Sequence, residues 1–391
     1  MTVATRCPMI PFETFDKQEN NRTGGQIRKI ALVHKHMKAG GVEALIVRMA
    51  RWLAENGFRV SLYLYSSGGP LLKHLQQIDG LEIIVRDNGK EPTLDLSVLN
   101  QLVRSDQYDL VYSFSPSGLL LSYAMPAKVR LSGVYQPEMY KLERNKKIIR
   151  ALKAIDKEFH QKLVFMNPTV RRYTERALGT ELPEQFMPPP VELGAQTQQL
   201  GSPNSRRIVS VGAIQAFTTH YAQVIELMEE LIQIDPEFTY HIFGEGPDEA
   251  RLRKSIAESE ARDHIFLHPM PRSGAIEDVL QDCFCFIGSG AVMIQACGLG
   301  VPGITSRAND AEALSEGYFH ELPPYEVGES YWEAPETYEI GELVKNLLVS
   351  ENAYRKVAER CKHKARKFEI DAVMTDFIEL ANRQLPGGGK K

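Results

Sequence analysis

No apolar run in this chain approaches the roughly 20 residues a membrane-crossing helix needs, so a helical integral membrane protein is excluded. The N-terminal stretch MTVATRCPMIPFETFDKQENNRTGG has no apolar core between basic flanks and a cleavage site, and a cytoplasmic rather than secreted protein is expected. Cysteine is scarce: five residues, an odd number at irregular spacing, make no disulfide framework. Those five and the ten histidines show no metal-ligand spacing, so neither a metal nor another cofactor is expected. Positive charge is not in excess. The 46 Lys and Arg against 50 Asp and Glu leave a net charge of −4, which argues against a nucleic-acid partner. What remains is 391 residues, 43% hydrophobic and 25% charged, ample for two cores.

Two α/β halves are legible. The first opens with the strand from Lys29 to His34, a loop from Lys35 to Gly41, and a helix with Val42, Leu45, Ile46, Met49 and Leu53 at helical spacing. Asn56-Gly57 ends that helix, and Phe58 to Leu64 reads as the next strand. Further strands are expected at Leu81 to Val85, Asp109 to Phe114, Lys128 to Val134 and Lys162 to Phe165. A Pro-, Gly- and Gln-rich break follows, with Pro188 to Pro190 as a stiff hinge. The plan then restarts with strands at Arg207 to Val211, Tyr240 to Phe243, His264 to Leu267, Cys283 to Ile287 and Val301 to Thr305. Cys283 and Cys285 alternate along their strand as core residues.

The fold class expected is therefore α/β, with two Rossmann-like doubly wound parallel-sheet domains facing a cleft. The divisions are a polar extension (1–27), a first domain (28–190), a linker (191–206), a second domain (207–365), a C-terminal helix (366–384) and a disordered tail (385–391). Ligands of such sheets bind beyond the carboxyl ends of the strands. Four loops leave those ends: Lys35 to Gly41, Gly212 to His220, Gly244 to Pro247 and Gly288 to Gly290. The last begins a strand–turn–helix run, IGSGAVMIQACGLGVP. A helix opening on glycines can present amide N–H groups to a phosphate, or the glycines can serve only tight turns and close packing.

HKHMKAGGVEALIVRMARWLAENGFRVSLY, IVSVGAIQAF, YHIFGEGPDEARLRK and GSGAVMIQACGLGVPGIT stand in an order that resembles the GT-B type retaining glycosyltransferases, the large family of bacterial capsule and lipopolysaccharide sugar transferases, from about Ile30 to Leu380. The resemblance implies a nucleotide-sugar donor on the second domain and a glycan or lipid-linked acceptor on the first. Gly40 and Gly41 match the loop that approaches the donor phosphates and sugar. Gly212, Ala213 and Thr218 fall in the loop after the second domain's first strand. Gly244, Gly246 and Pro247 match the loop near the base. Ser289, Gly290, Ala291 and Val292 match the helix start facing the diphosphate. Gln295 stands where a glutamate usually bonds the ribose. The C-terminal helix would cross back onto the first domain.

Departures accompany these matches. The family's phosphate-gripping Arg and Lys are Ala213 and Thr218 here, its paired glutamates are Ile287 and Gln295, and its histidine after the fourth strand is replaced within Ser113-Phe114-Ser115. A hydrogen bond to a charged partner contributes roughly 1.5–3 kcal/mol. Losing two cations at the leaving group therefore costs about two to four decades of rate. Lys38, His220 and Arg272 are candidates to supply the missing charge, against the alternative that each is solvated. Glu326 and Glu329 read as solvated surface. From Lys141 to Lys153 a basic stretch with apolar residues at helical spacing either contacts an anionic membrane surface or is a solvated face. The function implied is sugar transfer from a nucleoside diphosphate to a surface-glycan acceptor with retention of configuration. The alternative is a noncatalytic glycosyltransferase-like subunit that binds a glycan or partner protein.

Overall fold

Strand β1 (Lys29–His34) lies at the centre of a six-stranded sheet, flanked by β2 (Arg59–Leu64) and β4 (Tyr108–Ser113). With β3 (Leu81–Val85), β5 (Ala127–Val134) and β6 (Leu163–Phe165) the spatial order is β3-β2-β1-β4-β5-β6, and every pairing is parallel. The computed structural model describes residues 26–38, 40–66, 68–85, 107–193, 199–216, 218, 220–271, 276–307, 314–328 and 336–386. The expected N-terminal extension up to residue 25, and the tail from 387, lie outside them.

A parallel sheet is covered on both faces, which is why its strands are nearly continuous apolar runs. Ile30 and Leu32 enter one core, while Ala31 and Val33 point into a second on the opposite face. The covering helices are α1 (Gly41–Glu55), the short α2 (Leu72–Leu75), α3 (Pro116–Ser122), α4 (Leu142–Ile155) and α5 (Pro168–Leu178). Helix α1 buries Leu45, Ile46, Met49 and Leu53 along one stripe. It stops at Gly57, whose φ of +80° is the left-handed conformation glycine adopts without strain.

The second sheet has the order β11-β10-β7-β8-β9, again all parallel: β7 (Arg207–Val211), β8 (Thr239–Phe243), β9 (Ile265–His268), β10 (Cys285–Gly288) and β11 (Gly303–Thr305). Around it pack α6 (His220–Ile234), α7 (Glu249–Glu258), α8 (Ile276–Leu280), α9 (Gly290–Gly298), α10 (Ile340–Leu348) and α11 (Glu351–Ala365), with a two-stranded ribbon of β12 (Leu314–Ser315) and β13 (Tyr338–Glu339). Cys283, Cys285, Cys297 and Cys361 are free and buried.

The final helix, α12 (Ile370–Arg383), belongs to the first core, where Ile370, Val373, Met374, Phe377 and Ile378 are buried. Trp52 Nε1 donates to Asp371 at 2.6 Å, the Ile27 amide donates to Asn382 Oδ1 at 2.9 Å, and the Tyr112 and Phe377 rings lie 4.9 Å apart. The crossing back is secured at Val191, which donates to Phe368 O at 2.8 Å and accepts from the Ile370 amide at 3.1 Å.

Candidate active site

In both sheets the strand order reverses beside the first strand, between β1 and β4 and between β7 and β10. Crevices for ligands form at such reversals. Loops leaving β1 and β10 line one cavity of about 530 Å³ between the domains. Gly40, Gly41, Glu43 and Arg48 form its first-domain wall, together with Tyr135 and Asn167 beyond β5 and β6. Gly290, Ala291 and Val327 close it from the second domain. Two separate glycine motifs of the sequence thus meet at one space.

The helix starts on this cavity differ in what they offer. At α5, Asn167 accepts from the Val170 amide at 2.8 Å and Glu326 accepts from the Thr169 amide at 3.0 Å, so that end is capped. At α9 the Gly290 amide, the first of the helix, is taken by Val327 O at 2.9 Å, and Gly290 sits at φ +71°. The amides of Ala291 and Val292 beyond it, and those of Gly41 and Val42 in α1, have no hydrogen-bond partner among the described residues. Each helix start carries about half a positive charge. A permanent cation, Arg48, lies in the wall of the same cavity, and its Nε also lacks a partner.

The other sequence candidates lie elsewhere. Gly212, Gly244 and Gly246 hold the loops after β7 and β8 together: Ile214 donates to Glu245 O at 3.0 Å, and Asp248 donates to Ile214 O at 3.3 Å. A Cβ at Gly244 would stand 2.2 Å from Gly212 O, and one at Gly246 2.0 Å from Ile214 O. Close backbone packing therefore requires these two glycines whatever the ligand. Thr218 closes a tight turn, its hydroxyl donating to Gln215 O at 2.7 Å, and lines a separate depression with Gln215, Asp248 and Arg251. Ala213, Ser289 and Gln295 are half-buried, and Pro247 and Lys38 are exposed. None of these five lines the interdomain cavity.

Two expectations require correction. His220 is not a loop residue carrying charge. It begins α6 at 8% exposure, and burial lowers its pKa to about 4, so it is neutral at neutral pH. Glu326 is not solvated: it is 1% exposed, bonded to the first domain, and burial raises its pKa. Arg272 and Glu329 lie outside the described residues. Ile287 is core, as is Phe114, whose ring lies 5.9 Å from that of His34. On α4, Lys146, Lys147, Arg150 and Lys153 are exposed, while Ile149 and Leu152 are buried.

Residues 39–179 match the family described as Glycosyltransferase Family 4, and residues 195–316 the family described as Glycosyl transferases group 1. The chain is a two-domain glycosyltransferase. Its fold is that of GT-B transferases of known structure. A glycosyltransferase from Rickettsia africae shares 15% identity at a TM-score of 0.65, over 92% of this chain and 98% of that one. The lipopolysaccharide outer core galactosyltransferase WaaB shares 11% at 0.59, over 89% and 98% of the two chains. WaaG, a glycosyltransferase involved in lipopolysaccharide biosynthesis, shares 15% at 0.54, over 90% and 99%. No curated protein matches the sequence.

Arg48 and Glu43 line the cavity, and Glu326 adjoins Val327 of its wall; motif reading gives none of the three a role in this glycosyltransferase. The signal for Arg48 was its place on α1, two turns beyond Gly41 on the side that faces the cleft. Glu326 had no sequence signal, because a carboxylate between prolines and glycines ordinarily marks solvated surface.

Proposed function

We propose that the chain transfers a sugar from a nucleoside diphosphate donor to a glycan or lipid-linked acceptor, with retention of configuration, in the synthesis of a bacterial surface polysaccharide. One observation carries the reading. The open helix starts of α1 and α9, one from each domain, line the same cavity as Arg48. A diphosphate is the ligand such a space suits: open amides bind its oxygens without desolvating a counter-charge, and a guanidinium grips phosphate bidentately. In this reading Arg48 offsets from the first domain part of what Ala213 and Thr218 withhold from the second. As the sugar–phosphate bond breaks, charge builds on the leaving oxygen where these groups point. The acceptor hydroxyl attacks from the face the diphosphate leaves and gives it the proton, so retention needs no protein nucleophile.

The surface-polysaccharide setting is supported by the lipopolysaccharide roles named for WaaB and WaaG. It is also supported by the exposed basic face of α4, which suits an anionic bilayer carrying a lipid-linked acceptor. No helix among the described residues is long and apolar enough to cross a membrane. The test is calorimetric titration with UDP, GDP and their sugar conjugates, followed by NMR assignment of the anomeric product. Saturable binding of one nucleotide and a product with the donor's configuration are expected. A folded chain that binds none of them would replace this reading with the noncatalytic subunit.

A further inference from the structure

Three metal-ligating side chains meet where β1 enters the glycine loop. His34 ends β1, His36 stands two residues on, and Glu43 lies in the first turn of α1. One ligand atom from each falls within 4.8 Å of the others, the one such group among the described residues.

Two explanations compete for these contacts, a long His34–Glu43 hydrogen bond with a neighbouring ion pair and the edges of an ion site. His34 Nε2 lies 3.4 Å and His36 Nδ1 3.3 Å from the same oxygen, Glu43 Oε1. A charge-assisted imidazole–carboxylate hydrogen bond closes to roughly 2.7–2.9 Å. The edge of a tetrahedron of nitrogen and oxygen ligands about 2.1 Å from a zinc ion is about 3.4 Å. Both contacts have the length of that edge. Hydrogen bonding also leaves the cluster incomplete: His36 Nδ1, the atom facing Glu43, has no hydrogen-bond partner, and neither has His34 Nδ1. His34 and Glu43 are each only 8% exposed, so water does not readily compensate them.

The surroundings hold the carboxylate in place. A Cβ on Gly40 would stand 2.4 Å from Glu43 Oε2, so the glycine leaves the room that this carboxylate fills. Phe114 packs edge-on against the His34 ring. Spacing among histidines and cysteines does not reveal the trio, because its third member is a carboxylate brought in by the helix turn.

We propose that His34, His36 and Glu43 bind a divalent transition metal of the zinc type. Three protein ligands leave a fourth position open, the pattern of zinc sites that meet a substrate or water rather than of closed structural ones. Glu43 is part of the wall of the interdomain cavity, so an ion held there borders that space and can take a phosphate or hydroxyl oxygen. The site is read from ligand geometry alone and stands whether or not sugar transfer occurs.

The experiment uses the full chain stripped with EDTA, then titrated with Zn²⁺ by calorimetry and with Co²⁺ by visible absorption. One ion per chain and the intense bands of tetrahedral Co²⁺ are expected. His36→Ala and Glu43→Gln should each weaken Zn²⁺ binding by more than the roughly 10–100-fold that loss of a mere outer-shell partner causes. His36 has a side chain 24% exposed, so its variant keeps the fold, which circular dichroism verifies. Controls His160→Ala and His363→Ala should bind as wild type. No stoichiometric ion in the wild type, or folded His36→Ala and Glu43→Gln chains that bind Zn²⁺ undiminished, overturns the proposal.

Discussion

Glu326 of the second domain accepts a hydrogen bond from the backbone amide of Thr169, the second residue of a first-domain helix, at 3.0 Å. The contact is buried, and the other carboxyl oxygen, Oε2, has no partner. Burial therefore outweighs the Thr169 bond and raises the pKa above its ordinary 4.5.

A pH dependence of domain association follows from that shift. With the folded pKa above the unfolded one, the stability this group contributes is complete below pH 4.5 and is lost as pH rises through the raised value. Melting temperatures of wild type and Glu326→Gln should lie closest at the acid end and diverge as pH rises, the wild type falling below the variant once the buried carboxyl ionises. Parallel profiles would show that the carboxyl does not titrate in this window. Glu326→Ala leaves the Thr169 amide without its acceptor and should cost about 1–3 kcal/mol below pH 4.5, where the wild-type carboxyl is neutral.

Arg48→Ala should weaken binding of a nucleoside diphosphate about 10- to 150-fold, the equivalent of roughly 1.5–3 kcal/mol for a charged hydrogen bond. Arg48→Lys should recover only part, because an ammonium cannot grip a phosphate bidentately. Equal affinity in all three proteins, measured by calorimetry, would remove Arg48 from the donor site.

The glycines divide into two classes that mutation can separate. Gly246→Ala puts a methyl 2.0 Å from Ile214 O and should destabilise the second domain by about 1–3 kcal/mol. Gly41→Ala meets nothing within 4 Å. It should leave the melt within about 0.5 kcal/mol of wild type while lowering diphosphate affinity. If Gly41→Ala binds the nucleotide normally, the α1 helix start is not where the phosphates lie.

His220 reports burial in a pH range of its own. Its pKa falls from 6.5 to about 4 on folding, so its contribution is complete above pH 6.5 and is lost as pH falls toward 4. Between those limits wild type should lose up to about 3 kcal/mol relative to His220→Gln, at roughly 1.4 kcal/mol per pKa unit. Equal acid sensitivity of the two proteins in urea titrations would mean that protonated His220 is accommodated.

Much of the fold was legible because parallel strands are written as apolar runs: the expected strand Arg207 to Val211 is β7 to the residue, and Asn56-Gly57 does end α1. Boundaries moved by one or two residues where a strand runs into a turn, as at β10, which begins at Cys285. The candidate site was legible only in part. Gly41 and Gly290 announce themselves as glycines at helix starts, but Gly244 and Gly246 carry the same signature for a packing reason, and spacing does not separate the two causes. His220 and Glu326 both look like loop residues along the chain, yet His220 begins α6 and is buried, and Glu326 is buried against Thr169 of the other domain. Arg48 hides among the charges of an amphipathic helix until its cavity-facing side is known.

Helix α12 has a consequence for how the protein is made. The ribosome delivers the first domain's strands before the second domain, and the helix bearing Met374 and Phe377, which walls their core, only after it. Nascent first domain therefore waits with an apolar face uncovered while the whole second domain is made. The domain begun earlier of the two is completed later, and a fragment released by cleavage at the linker would carry a sticky, unsealed face.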